Sequence, residues 1–144
     1  MKTTVLPAVL LLLLAACAKP TARTSAAARA VAAVQDSITG TVTYRERLAL
    51  PPGAVLNVQL QDVSRPGAPA TVVAEATVLV RGGQVPLAFS LPYDTLRIDP
   101  TNTYAVQARI GAEGQPLLAN AAAYPVITRG NAKRVQMMLR RVAP

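Results

Sequence analysis

Histidine is absent from the 144-residue sequence, and that omission removes much of the usual catalytic chemistry. Without imidazole there is no Ser-His or Cys-His nucleophile pair, no side chain that titrates near neutrality unaided, and no copy of the commonest metal ligand. Seven carboxylates remain: Asp36, Glu46, Asp62, Glu75, Asp94, Asp99 and Glu113. Two carboxyl groups about 5 to 10 Å apart can hydrolyse a glycoside. The best candidates are Asp94 and Asp99, in one connection near Tyr93. Their surroundings favour structural roles: Asp99-Pro100 initiates a turn, Asp94 suits a backbone cap, and tryptophan, the usual sugar-stacking residue, is absent. The same pair lacks the crowded oxygen ligands of a calcium loop, and Lys133 has no motif that would make it a dyad with a serine. The expectation is no catalytic residue, no metal, no cofactor and no small-molecule substrate.

The other reactive side chain is Cys17, the only cysteine. Before it stand a basic start at Lys2, an apolar run over residues 5–14, and small residues at Ala15 and Ala16, the three parts of a secretory signal. The run is short of the roughly 20 apolar residues that span a bilayer. Leu14-Ala15-Ala16-Cys17 resembles the bacterial lipobox, where cleavage precedes a cysteine that is then acylated. Acyl chains contribute about 0.8 kcal/mol per buried CH₂, so three of them hold a chain to a membrane far more firmly than one. The competing reading is an ordinary signal peptide cut elsewhere, which leaves Cys17 a bystander thiol. With no second cysteine, no intrachain disulfide forms and apolar burial must carry stability.

The net charge of +8 would raise nucleic-acid binding in a cytosolic protein. Here the arginines are scattered singly and no aromatic stacking platform accompanies them, so no nucleic acid is expected. One concentration stands near the C-terminus: Arg129, Lys133, Arg134, Arg140 and Arg141. It reads either as a solvated rim or as a contact for an anionic envelope surface.

The elements that carry these residues are strands. Residues 1–16 read as a signal peptide and 17–36 as a lipidated cysteine with an Ala-rich tether. From Ile38 the pattern has period two: Ile38, Gly40, Val42 and Tyr44 alternate with threonines, and Leu56, Val58 and Leu60 alternate with amides. Residues 71–80 are more continuously apolar and read as a central strand. Gly82-Gly83 reads as a tight hairpin turn, and Pro86 marks its return strand as an edge or a bulge. Gly130-Asn131 reads as the last hairpin turn. Residues 37–142 thus form an all-β domain, an antiparallel β-sandwich of about seven or eight short strands. Its predicted core is Leu56, Val58, Leu60, Val85, Leu87, Phe89, Val106 and Ile110. Aromatics are only 3% of the chain, so that core must be aliphatic.

Ordered blocks of sequence carry a family likeness. Ile38-Thr39-Gly40-Thr41-Val42-Thr43-Tyr44, Leu50-Pro51-Pro52-Gly53-Ala54, Val58-Gln59-Leu60-Gln61-Asp62-Val63-Ser64, Pro92-Tyr93-Asp94, Ile98-Asp99-Pro100 and Tyr124-Pro125-Val126 resemble the YbaY/YscW lipoprotein family. The resemblance implies a β-sandwich on a periplasm-facing, outer-membrane lipoprotein. It also implies a pilotin-like partner, an outer-membrane or secretion-system protein that the chain binds or chaperones. The alternative is an envelope binding or spacer module that uses the basic C-terminal cluster. Salt separates the two, since charge-driven contacts weaken with ionic strength while strand addition and apolar packing persist.

The lipobox reading predicts that Cys17→Ala moves the protein to the soluble fraction or leaves an uncleaved precursor. Fractionation and mass spectrometry of the mature N-terminus check it. An unacylated wild-type N-terminus with unchanged fractionation contradicts it.

Overall fold

Alternation of apolar and polar residues becomes a ring of short strands around an interior that is mostly aliphatic but, against the expectation of an aliphatic core, also buries Phe89, Tyr93 and Tyr104. A computed structural model describes residues 35–82 and 84–143. The strands are β1 (Gln35–Tyr44), β2 (Val55–Asp62), β3 (Thr71–Leu79), β4 (Leu87–Asp94), β5 (Tyr104–Ala112), β6 (Gln115–Asn120), β7 (Tyr124–Val126) and β8 (Arg134–Arg141), with a short 3-10 helix at Thr95–Arg97. They form one sheet in the order β3-β2-β5-β6-β8-β1-β4, and β7 pairs with the first part of β5. β1 and β8 run parallel, and every other pair is antiparallel. The sheet curls until its two end strands, β3 and β4, lie side by side, so the expected all-β fold takes a nearly closed, barrel-like form.

Inward positions repeat every second residue. Ile38 and Val42 from β1 meet Leu56, Val58 and Leu60 from β2, Phe89 and Leu91 from β4, Val106, Ala108 and Ile110 from β5, and Met137 and Leu139 from β8. β1 and β2 are not neighbours, so residues 45–54 must cross one end of the barrel. That crossing closes the end with Leu48 and Leu50 and buries Ala54 completely. At Glu113-Gly114 both residues have positive φ, 51° and 78°, the backbone of a type I′ turn that joins β5 to β6 in two residues.

The closest packing surrounds Gly40. This residue pairs with Phe89 on β4 and Val135 on β8. An added Cβ would collide with the Val135 carbonyl oxygen and come within 2.9 Å of Phe89 Cζ. Glycine here is a requirement of close approach, and the Phe89 ring covers the space that a side chain would otherwise fill.

Several sequence expectations need correction. β3 is an end strand, with Val72 and Leu79 41% and 50% exposed, although its apolar run suggested a central position. Gly82-Gly83 makes no two-residue hairpin, because β3 stops at Leu79, β4 starts at Leu87 and no ladder joins them; Gly83 lies outside the described residues. Gly130-Asn131 is likewise not a hairpin turn, since β8 pairs with β1 and β6 rather than β7. Val85 precedes β4 and is exposed, and Leu87 is half-buried, so neither fills the core as Phe89 does. Pro86 stands just before an end strand, where its missing donor costs no ladder bond. The first strand begins at Gln35, just ahead of the boundary expected at residue 37.

Gly40→Ala should destabilise the domain by about 1 to 3 kcal/mol through overpacking, and Phe89→Ala by about 3 to 5 kcal/mol through the cavity it leaves. Urea unfolding measures both. Unchanged midpoints would remove this contact from the account of the core.

Candidate functional site

An end strand offers a row of backbone donors and acceptors, and here two such rows face each other across the β3–β4 seam. At the Thr71 end of β3 the seam opens into a cleft of about 500 Å³, lined by Asp62, Ser64, Arg65, Thr71, Val73, Arg97 and Asn102 among others. Across the seam Arg97, in the 3-10 helix that follows β4, donates from its guanidinium to the Val73 carbonyl at 2.8 Å. Val73 lies where the β2–β3 register shifts, so this carbonyl belongs to a locally irregular stretch of the edge.

The cleft is built on a set of fixed polar contacts. Asp62 Oδ1 accepts from the Ser64 amide and hydroxyl, and Oδ2 accepts from the Asn102 amide at 2.8 Å. The Ser64 oxygen in turn accepts from the Thr103 amide at 2.9 Å. The Ser64 hydroxyl foremost, then its amide and Asn102, hold the Asp62 carboxyl below the ordinary carboxylate range. A carboxylate with both oxygens so occupied clamps loops together and is badly placed to act as a base.

Asp94 caps the 3-10 helix by accepting from the Leu96 amide, and Asp99 accepts from the Thr101 amide and hydroxyl. Both perform the structural roles that their local sequence suggests. Among the described residues no group of three metal-ligating side chains meets.

The basic cluster does not form one patch. Arg129 donates to Thr103 Oγ1 and to the Thr101 carbonyl, fastening its own loop to the next. Lys133 pairs with Asp36, whose Oδ2 also accepts from the Tyr93 hydroxyl at 3.1 Å. Arg134 opens β8, while Arg140 and Arg141 close it at the other end of the strand. Cys17 and the 1–34 segment lie outside the described residues, and of the tether expected over 17–36 only Gln35 and Asp36 are described, as the start of β1. The Asp36–Lys133 and Asp62–Asn102 contacts were not visible in the sequence, though Asp62-Val63-Ser64 does spell the local turn that Asp62 makes.

Residues 33–139 match the family described as the type III secretion system lipoprotein chaperone (YscW). The chain belongs to this family. The Escherichia coli K12 uncharacterized lipoprotein YbaY is 35% identical over 115 residues; the match covers 79% of this chain and 60% of that protein. The solved structure of an alternative pilotin from the type II secretion system of Vibrio cholerae is 47% identical with a TM-score of 0.72, covering 76% of this chain and 99% of that one.

The clamps carry a pH signature. Hydrogen bonds lower the Asp36 carboxyl, first from Lys133, then from Ser37 and Tyr93, and the Asp62 carboxyl as described. A carboxyl lowered on folding adds stability that is complete above its unfolded value, about 3.9, and is lost as pH falls through the lower folded value. Acidification below about pH 4 should therefore weaken the fold, and Asp62→Asn should flatten that dependence. Urea titrations at stepped pH test this, and an acid limb unchanged by the substitution contradicts it.

Proposed function

We propose that this chain is a lipid-anchored envelope lipoprotein that binds and escorts an outer-membrane or secretion-system protein rather than turning over a substrate. The observation that carries the reading is the open seam. A nearly closed sheet lacks its last ladder, and the outer edge of β3 has no strand partner among the described residues. An extended client segment that adds along β3 gains main-chain hydrogen bonds, while Val72 and Leu79 supply apolar contact. The cleft at the Thr71 end is where such a segment would enter, displacing the Arg97 guanidinium from the Val73 carbonyl.

Acylation of Cys17 would place this domain at a membrane surface, and the segment up to residue 34 would set its reach. Family membership and the likeness to a pilotin support the chaperone role. The occupied carboxylates and the missing histidine support binding over catalysis.

Photo-crosslinking in intact cells tests the proposal. A crosslinker replacing Leu79 or Val72 should capture an outer-membrane or secretion-system protein, and one replacing Gln136 on the outer face of β8 should not. Equal capture from all three positions, or none from β3, refutes the edge as the client site.

A further inference from the structure

Charge is sorted between the two ends of the barrel. Register fixes the ends: β1, β3, β5 and β8 begin, and β2 and β4 finish, at the end where residue 35 enters. At that entry end Arg65, Arg97, Arg129, Lys133 and Arg134 share space with Asp36, Asp62, Asp94 and Asp99, and three of the five cations hold a carboxylate or a backbone carbonyl. The far end is different. Arg45, Arg47, Arg81, Arg140 and Arg141 are all exposed there against Glu46 and Glu113, while Arg109 lies farther in along β5, near Glu75, whose carboxylate accepts from Asn57 beside it. Glu46 Oε1 accepts from the Arg141 backbone amide, while its Oε2 is buried without a hydrogen-bond partner. Among the described residues the one ion pair, Lys133–Asp36, lies at the entry end.

The two ends do not neutralise each other. Strands of eight residues at about 3.3 Å each separate them by roughly 25 Å, about three Debye lengths at physiological ionic strength. The far end therefore presents a local positive field, and apolar side chains stand in it: Leu79, Val85 and Val142, each more than a third exposed. Arginine binds carboxylates through two parallel hydrogen bonds and tolerates apolar neighbours better than lysine does.

We infer that this far end is a docking face for an acidic polypeptide segment with apolar residues interspersed among its carboxylates. The inference rests on the client-binding reading and specifies the chemistry of a second part of the client. A polypeptide fits better than a membrane surface, because the segment leading to the anchor leaves from the opposite end of the barrel. The face is also distinct from the basic C-terminal cluster of the sequence: it takes Arg140 and Arg141 from that cluster and joins them to the 45–54 crossing and the β3–β4 connection.

Fluorescence anisotropy on the full chain tests it. The probes are a labelled peptide of glutamates interspersed with leucine and serine, and the same peptide with glutamine for every glutamate. The glutamate peptide should bind about tenfold or more tightly than its counterpart, and the triple variant Arg45→Gln/Arg47→Gln/Arg81→Gln should abolish that margin. Arg134→Gln, at the entry end and outside the cleft, should leave it within about twofold. Equal binding of the two peptides overturns the inference, as does an equal loss with Arg134→Gln. If the β3 crosslinks persist when the peptide test fails, the client reading stands without this face; if they vanish while the peptide still binds, the client reading fails by itself.

Discussion

The close packing at Gly40, between the Val135 carbonyl of β8 and the Phe89 ring of β4, is the constraint on which the rest of the structure depends. β1 lies between an antiparallel partner, β4, and a parallel one, β8, and its inward glycine admits both the Val135 carbonyl and the Phe89 ring. The chain has one phenylalanine and no tryptophan, and that ring joins Tyr93 and Tyr104 among the aliphatic side chains of the interior. β4 becomes an end strand beside β1, β3 becomes the other end beside β2, and the place where the two meet is left without a ladder.

That unjoined seam connects fold to function. Its entry end is braced by loops that hold one another through Asp62, Ser64, Asn102, Thr103 and Arg129, so the cleft there has a fixed frame. Its far end carries the barrel's excess of arginine. A fixed frame, an exposed edge and a one-sided charge suit recognition of another chain. Ordered loops also reduce the entropy lost when a client segment is captured.

Much of the fold was legible because side-chain period reports strands directly, and Ile38, Val42, Leu56, Val58, Leu60, Val106 and Ile110 are buried as their alternation indicates. The capping roles of Asp94 and Asp99 were legible for a similar reason, being written within two residues of sequence. Position within the sheet was not. The apolar run of β3 reads the same whether neighbouring strands cover it or an unfilled edge awaits a partner, and only the pairing order separates the cases. Gly82-Gly83 suggested a turn but could not reveal that the strands on either side stay unladdered. The basic C-terminal residues are close in sequence, yet the length of β8 carries Arg134 and Arg141 to opposite ends. The Lys133–Asp36 pair joins residues 97 positions apart, beyond the reach of any local pattern.

The central claim is that the outer edge of β3 is open in the free chain and is closed by a client. Amide hydrogen exchange measured residue by residue tests it most directly. In the free protein the outward-pointing amides of β3 should exchange far faster than those of β1, β2 and β5, which are laddered on both sides, and they should slow when the client is bound. Strong protection of those amides in the free chain, or exchange unchanged by the client, would contradict the account.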